Sequence, residues 1–358
     1  MSPRQDRKRG SSEARLKLAI LDDYQGVALA MADWSALESR VAITMFRDTV
    51  EDQGTLAQRL APFSVLCLMR ERTPMPRALL EQLPNLRHIV TSGMRNRSID
   101  LTACRDLGIV VTGSPTLDHP TAELTMGLIL ALARQIPREN RSLHAGGWAT
   151  VVGRALKGST LGILGLGRMG IQVARLARAF EMRVVAWSSH LTEQRCAEAD
   201  VEFAGSKERL LREADFVSIH LMLGERSRGT IGSAEFELMK PGAYLINTAR
   251  AEIVDQAALV AALTHGRIAG AALDVYDHEP LPADHPLRGL DRALLMPHQG
   301  YVVEQNYRIF FEHAVGNVLA WLDGTILNQV TDTTGPQSLT AAMDHARSAV
   351  PARGSLGA

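Results

Sequence analysis

The chain has 358 residues, 46% of them hydrophobic and 22% charged, so it can bury a sizeable core, divides into about two domains and is not a disordered chain. Lys plus Arg number 39 and Asp plus Glu also number 39, which removes the broad positive field of a nucleic-acid or anionic-membrane binder and favours a small, neutral partner. The three cysteines, Cys67, Cys104 and Cys196, are widely spaced and lack any metal-ligand pattern, which argues against disulfides and structural zinc and for a reducing cytoplasm.

In chain order, residues 1–14 read as a disordered arm, basic but carrying Asp6 and Glu13 and lacking an apolar stretch of signal-peptide length. Strands are then expected at LKLAIL, VAITMF, SVLCLM, LRHIVT and GIVVTG, with helices at TLAQRLA and PRALLEQL between them. Pro120 to Arg141 carries one long helical pattern, whose run LTMGLILALA is too short to span a bilayer. HAGGWATVVGRALKGST reads as a glycine-rich loop, in which Trp148 is expected to pack between domains. A second series of strands follows at TLGILGLG, RVVAWS, DFVSIHLM, AYLINTA, GAALDVY and ALLMPH. VVEQNYRIFFEHAVGNVLAWLDG is helical, and residues 333–358 read as a flexible tail. Alternating strands and helices predict an α/β fold with two Rossmann-like or flavodoxin-like parallel sheets.

LGILGLGRMGIQVARLARAF places Gly165, Gly167 and Gly170 in G-x-G-x-x-G spacing between a strand and a helix. The first glycine permits the tight turn, the second lets a pyrophosphate approach the backbone, and the third lets the helix pack on the strand. The helix N-terminus, with Arg168 and Met169, then offers N–H groups to an anion. The helix's apolar face is expected to include Ile171, Ala174, Leu176 and Phe180. At the end of the next strand, where an acid would meet the adenine ribose of NAD, the chain has Ser188 and Ser189. No Arg or Lys follows until Arg195, so a phosphate clamp is not evident, and either NAD or NADP is expected with modest discrimination.

Polar residues recur where later strands end. LINTARAEIVD presents Arg250 before Asp255, which is placed to cap a helix. ALDVYDHEPLP presents Asp274, Asp277, His278 and Glu279, and LLMPHQGY presents His298. Hydride transfer to a keto acid needs a cation for the carboxylate, a proton donor for the carbonyl oxygen and an acid partner for that donor; Arg250, His298 and Glu279 suit those tasks.

Four motifs, TLGILGLGRMG, LINTARAEIVD, ALDVYDHEP and MPHQG, in this order, resemble the D-isomer-specific 2-hydroxyacid dehydrogenase family, and the resemblance runs from about Leu16 to Gly324. It implies a substrate-binding domain of residues 15–117 and 300–332 into which a dinucleotide-binding Rossmann domain of residues 118–299 is inserted, with the final helix returning to the first domain. It further implies an active site in the cleft and a homodimer without metal. By resemblance, Arg250 binds the substrate carboxylate and carbonyl, His298 is the general acid and base, and Glu279 pairs with it. Asp274 holds the nicotinamide carboxamide, Thr248 and Ala249 line the ring, and Leu221 and Met222 flank the cofactor. In TSGMRNRSID, the backbone of Ser92, Gly93 and Met94 matches the loop that helps hold the carboxylate. Met94, Arg95, Asn96 and Arg97 depart there from the small residue and Val-Asp pair common in the family. Arg70 and Arg72 end a first-domain strand near the expected substrate, and His220 is expected to be a structural or cofactor-wall residue.

The implied reaction interconverts a 2-keto acid and a D-2-hydroxy acid with a nicotinamide cofactor, as in glyoxylate/hydroxypyruvate reductases or phosphoglycerate dehydrogenases. Two alternatives are a non-enzymatic, dinucleotide-sensing corepressor and a formate or phosphite dehydrogenase. Formate enzymes carry glutamine in place of Glu279, which disfavours that branch.

Overall fold

The computed structural model describes residues 15–331 and divides into two compact units, Leu117–Val303 and the chain on either side of it. The expected arm at 1–14 and tail at 333–358 lie outside the described residues. Among those residues no helix is long and apolar enough to cross a membrane.

The first unit holds five strands, β1 (Leu16–Ile20), β2 (Val41–Met45), β3 (Val65–Leu68), β4 (His88–Thr91) and β5 (Val110–Thr112). They form a parallel sheet in the order β2-β1-β3-β4-β5, the flavodoxin-like arrangement. β3 and β4 are buried along their whole length, as expected of strands covered on both faces. The helix Glu304–Leu322 belongs to this unit: Trp321 stands 5.1 Å from the His88 ring and Phe311 6.2 Å from Trp34. Beyond it, Val330 N–H donates to Val111 O at 2.9 Å, tying the returning chain to β5.

The second unit contains β6 (Thr160–Leu164), β7 (Arg183–Trp187), β8 (Glu202–Phe203), β9 (Phe216–Ile219), β10 (Tyr244–Asn247), β11 (Gly270–Leu273) and β12 (Ala293–Leu295). Its parallel order is β12-β11-β10-β9-β6-β7-β8, so the chain reverses direction across the sheet between β6 and β9. That is the Rossmann topology with one added strand, and its ligand crevice lies outside the strand ends at this reversal. The unit's division from the first falls after Val303 because Gly300 is held within it: its N–H donates to Asp274 Oδ2 at 2.8 Å and its carbonyl accepts from Thr121 Oγ1 at 3.0 Å.

Several local expectations need correction. The helical pattern from Pro120 to Arg141 is two helices, Pro120–Arg134 and Ile136–His144, separated by Gln135 in the left-handed conformation at φ 53°. Pro137 is the cause, since its ring cannot donate an N–H and would crowd the carbonyl of residue 133 in a continuous helix. Trp148 does not pack: it is 84% exposed. The two-residue strand β8 was not anticipated, being too short to show a period. In the helix Arg168–Ala179 the expected apolar face holds at Ala174, which is buried, and at Ile171 and Leu176, which are half-buried against the core, whereas Phe180 is exposed; Gly170, Val173 and Ala177 complete the buried face.

Candidate active site

The glycine loop leaves the buried strand β6 and turns directly into the helix Arg168–Ala179. Gly165 has φ 101°, and a Cβ there would lie 2.8 Å from the backbone of His220 and Leu221, so only glycine fits. At Gly170 a Cβ would come 2.2 Å from Gly165 O, which fixes how closely the helix approaches the turn. Gly167 is different: a Cβ there would meet nothing within 4 Å. Its surface is open, with exposed Arg168 beside it and half-buried Met169 following. Gly167 caps the helix without a side chain, so the first N–H groups and the positive end of the helix dipole are available to a pyrophosphate. The residues present thus fit a dinucleotide on steric as well as electrostatic grounds.

Two strand ends flank this loop. Half-buried Ser188 follows β7 and its carbonyl accepts from Leu191 N–H at 3.1 Å, closing a turn that leaves Ser189 and His190 exposed. After β9, His220 N–H donates to Leu164 O at 2.7 Å and its Nε2 stands 2.8 Å from Ser218 Oγ. Loss of solvent around this ring pushes its pKa down to about 4, which favours the neutral imidazole. Leu221 is half-buried, while the Met222 side chain is 81% exposed.

The chemistry-bearing loops follow β10, β11 and β12. After β10, the Asn247 side chain gathers its own loop: Nδ2 donates to Arg250 O at 3.0 Å and Oδ1 accepts from Ala249 N–H at 3.0 Å. Thr248 Oγ1 meets Thr125 Oγ1 at 2.9 Å, and Arg250 Nη1 donates to Ala249 O at 2.8 Å. Asp255 caps the helix Gln256–Thr264 by accepting from Ala258 N–H at 3.0 Å.

After β11, Asp274 is fully enclosed and accepts from Gln299 N–H at 2.7 Å and Gly300 N–H at 2.8 Å. Burial pushes its carboxyl up to about 6, against the pull of those two N–H groups and of the His298 charge. Its visible task is to hold the loop after β12, although each carboxylate oxygen retains a lone pair for a ligand. Tyr276 is buried beside it, its hydroxyl placed between Leu273 O and Met296 O at 3.1 and 2.9 Å.

Glu279 Oε1 accepts from Tyr276 N–H at 2.9 Å, and Oε2 lies 2.6 Å from His298 Nδ1. Burial acts to raise the Glu279 carboxyl, but the hydrogen bond and charge of His298, the Tyr276 N–H and the Arg250 guanidinium together hold it below the ordinary carboxylate range. It is therefore a carboxylate at neutral pH. His298 has a left-handed backbone at φ 53°, a conformation uncommon outside glycine that the tether to Asp274 helps maintain. With Nδ1 engaged, Nε2 is the nitrogen left for chemistry.

In the first unit, Arg70, Ser92, Gly93 and Met94 gather at the ends of β3 and β4. Arg70 N–H donates to Ser92 Oγ at 2.8 Å, and Arg70 Nη1 donates to Ser92 O at 3.0 Å. Arg70 has φ 53°, and a Cβ on Gly93 would collide with Nη1 at 2.0 Å. Of the three N–H groups expected to face a carboxylate, that of Ser92 donates to Leu68 O at 3.2 Å and that of Gly93 to Ser114 Oγ at 3.0 Å. Buried Asn96, one of the departures from the family pattern, supports this loop by donating to Arg70 O at 2.6 Å and Thr91 Oγ1 at 2.9 Å. Arg72 turns elsewhere, donating to Asp22 O at 2.9 Å with its guanidinium 4.5 Å from the Tyr24 ring centroid. Asn247, Thr125 and Ser114 were not singled out by sequence reasoning: Thr125 and Ser114 act through contacts distant in the chain, and Asn247 acts through a local side-chain turn that no motif marks.

Residues 126–300 match the sequence profile of the D-isomer specific 2-hydroxyacid dehydrogenase NAD binding domain. A glyoxylate reductase of Aeropyrum pernix is 39% identical over 258 residues, 69% of this chain and 77% of that one. A D-3-phosphoglycerate dehydrogenase of Methanocaldococcus jannaschii is 36% identical over 74% of this chain, but the match spans only 50% of that protein. Among solved structures, phosphoglycerate oxidoreductase from Vibrio cholerae O395 superposes with a TM-score of 0.81 at 37% identity, covering 87% of this chain and 100% of that one. With a Rossmann glycine loop in place and these similarities across most of its length, the chain belongs to the D-isomer specific 2-hydroxyacid dehydrogenase family, a nicotinamide-dependent oxidoreductase with an NAD-binding domain inserted in the other.

Proposed function

We propose that the protein interconverts a small 2-keto acid, of the glyoxylate or hydroxypyruvate kind, and the corresponding D-2-hydroxy acid, with Arg250, Glu279 and His298 as its catalytic set. The observation that carries this reading is the 2.6 Å contact between Glu279 Oε2 and His298 Nδ1, which leaves Nε2 to exchange a proton. A glyoxylate reductase that is 39% identical and matched over 77% of its length supports a small keto acid as the substrate.

Gly165, Gly167, Gly170 and the N-terminus of Arg168–Ala179 would hold the pyrophosphate of NAD or NADP, with Thr248, Ala249 and Asp274 at the nicotinamide end. The nicotinamide supplies the hydride in reduction and accepts it in oxidation. In reduction, His298 as imidazolium gives its Nε2 proton to the carbonyl oxygen, and the Glu279 carboxylate stabilises that cation. Arg250 pairs with the substrate carboxylate and the developing alkoxide. In oxidation, neutral His298 takes the hydroxyl proton.

The protein is further proposed to be a cytoplasmic homodimer. Its described cysteines are all free and buried, which suits a reducing compartment. Ile136, Leu143, Trp148 and Val152 form a run of exposed apolar residues that suits a second copy of the chain. A spectrophotometric panel of keto acids with NADH and NADPH tests the activity: oxidation of either cofactor with a small keto acid is expected. Complete silence across the panel would overturn it in favour of a dinucleotide-sensing role.

A further inference from the structure

The loop after β9 reaches the turn after β7. Arg226 Nη1 lies 2.5 Å from His190 Nε2, a contact between residues 36 apart in the chain. Since a guanidinium only donates, the imidazole accepts there and carries its proton on Nδ1.

The turn presenting Arg226 is closed by its neighbours. Ser227 Oγ donates to Met222 O at 2.6 Å and accepts from Gly224 N–H at 2.9 Å, while Arg228 N–H donates to Gly224 O at 3.0 Å. Arg228 itself faces Glu252 at 3.8 Å. Because β9 adjoins β6 and β6 adjoins β7, this loop passes the end of the glycine-loop strand to reach His190. The end of the second Rossmann strand is where the adenine ribose lies, and here it carries Ser188 and Ser189 with no carboxylate in residues 188–192. Glu225 is the acid nearest in sequence to Arg226, and both are exposed.

We propose that Arg226, together with Ser188, Ser189 and His190, forms a subsite for the 2′-phosphate of the dinucleotide, so that the protein binds NADPH in preference to NADH. The proposal rests on the dinucleotide site described above and gives a direction to the modest discrimination expected from the serines. Two hydroxyls and a cation suit a phosphate, and a ribose 2′-hydroxyl finds no carboxylate acceptor in this turn.

Equilibrium titration of the free protein with each reduced cofactor, followed by nucleotide fluorescence, tests it without turnover. Wild type is expected to bind NADPH about tenfold more tightly than NADH, a margin that shrinks as salt is raised. Arg226→Ala should bring the two affinities to within about threefold, chiefly by weakening NADPH, and Arg226→Lys should keep part of the preference because its charge remains. Adenosine 2′,5′-bisphosphate should displace NADPH from wild type better than from Arg226→Ala. Equal affinities in wild type, a preference for NADH, or equal weakening of both cofactors by Arg226→Ala would each overturn the subsite while leaving the dinucleotide site standing. Binding of neither cofactor to wild type would overturn both.

Discussion

Glu279 Oε2 and His298 Nδ1 meet at 2.6 Å although the two residues leave different strands, β11 and β12. The contact sets the orientation of the ring and leaves Nε2 as the nitrogen proposed to meet substrate. Replacing His298 with Ala should lower kcat by about 100- to 10,000-fold while cofactor affinity stays within about twofold of wild type. Steady-state kinetics and cofactor titration check this pair of outcomes, and turnover at the wild-type rate would remove His298 from the mechanism.

The three glycines of the nucleotide loop should respond differently to alanine. At Gly165 the added Cβ would meet backbone at 2.8 Å in a left-handed conformation, and at Gly170 it would meet Gly165 O at 2.2 Å. Both variants should lose about 1–3 kcal/mol of stability. Gly167→Ala has open space and an ordinary φ of −83°, so stability should change by no more than about 0.5 kcal/mol. Its dinucleotide affinity should nevertheless fall by about tenfold or more, because the methyl occupies the side from which a pyrophosphate approaches. Denaturant unfolding paired with cofactor titration separates the two effects, and undiminished binding by Gly167→Ala would place the pyrophosphate elsewhere.

Two carboxylates near His298 should give the stability profile opposing slopes. Glu279 is held below its ordinary value of 4.5, so its contribution is present above that pH and lost as pH falls through the lowered value. Asp274 is raised from 3.8 to about 6, so its contribution is complete below 3.8 and lost as pH rises through about 6. Melting temperatures across this range should show the advantage of wild type over Asp274→Asn narrowing as pH rises, and its advantage over Glu279→Gln narrowing as pH falls. A parallel offset at every pH for either variant would contradict the corresponding shift.

A charge placed on the exposed apolar run should disturb self-association. Trp148→Asp and Val152→Asp change residues that are 84% and 100% exposed, so neither should alter folding of the single chain by more than about 0.5 kcal/mol. Sedimentation velocity is expected to find wild type dimeric and the double variant shifted towards monomer. A wild-type monomer at micromolar concentration would end the assignment.

The parts of the molecule legible in its sequence are those specified by neighbours in the chain. Strand periodicity and the strand-glycine-helix order located β6 and its nucleotide loop because Gly165, Gly167 and Gly170 act within six residues of one another. The motifs around Arg250, Glu279 and His298 could be recognised by order, but their mutual geometry depends on strand pairing across β10, β11 and β12. Arg226 escaped notice because the loop that carries it passes an intervening strand end to reach His190. The break at Gln135 was readable and missed: Pro137 marks it, whereas the apolar spacing on either side continues as if one helix ran through.

That break separates two folding problems. The helix before Gln135 buries eight residues, including Met126, Ile129 and Leu132, and is anchored by its own domain. The helix after it is nine residues long and buries none, so it is shorter than the roughly 12–15 residues at which an isolated helix becomes even marginal in water. In a lone chain, Ile136–His144 should open far more often than the core, with amide exchange approaching that of a free peptide. If a second copy covers it, its exchange should slow as protein concentration rises. This short segment would then be an internal gauge of assembly, reporting subunit encounter through the lifetime of a few hydrogen bonds.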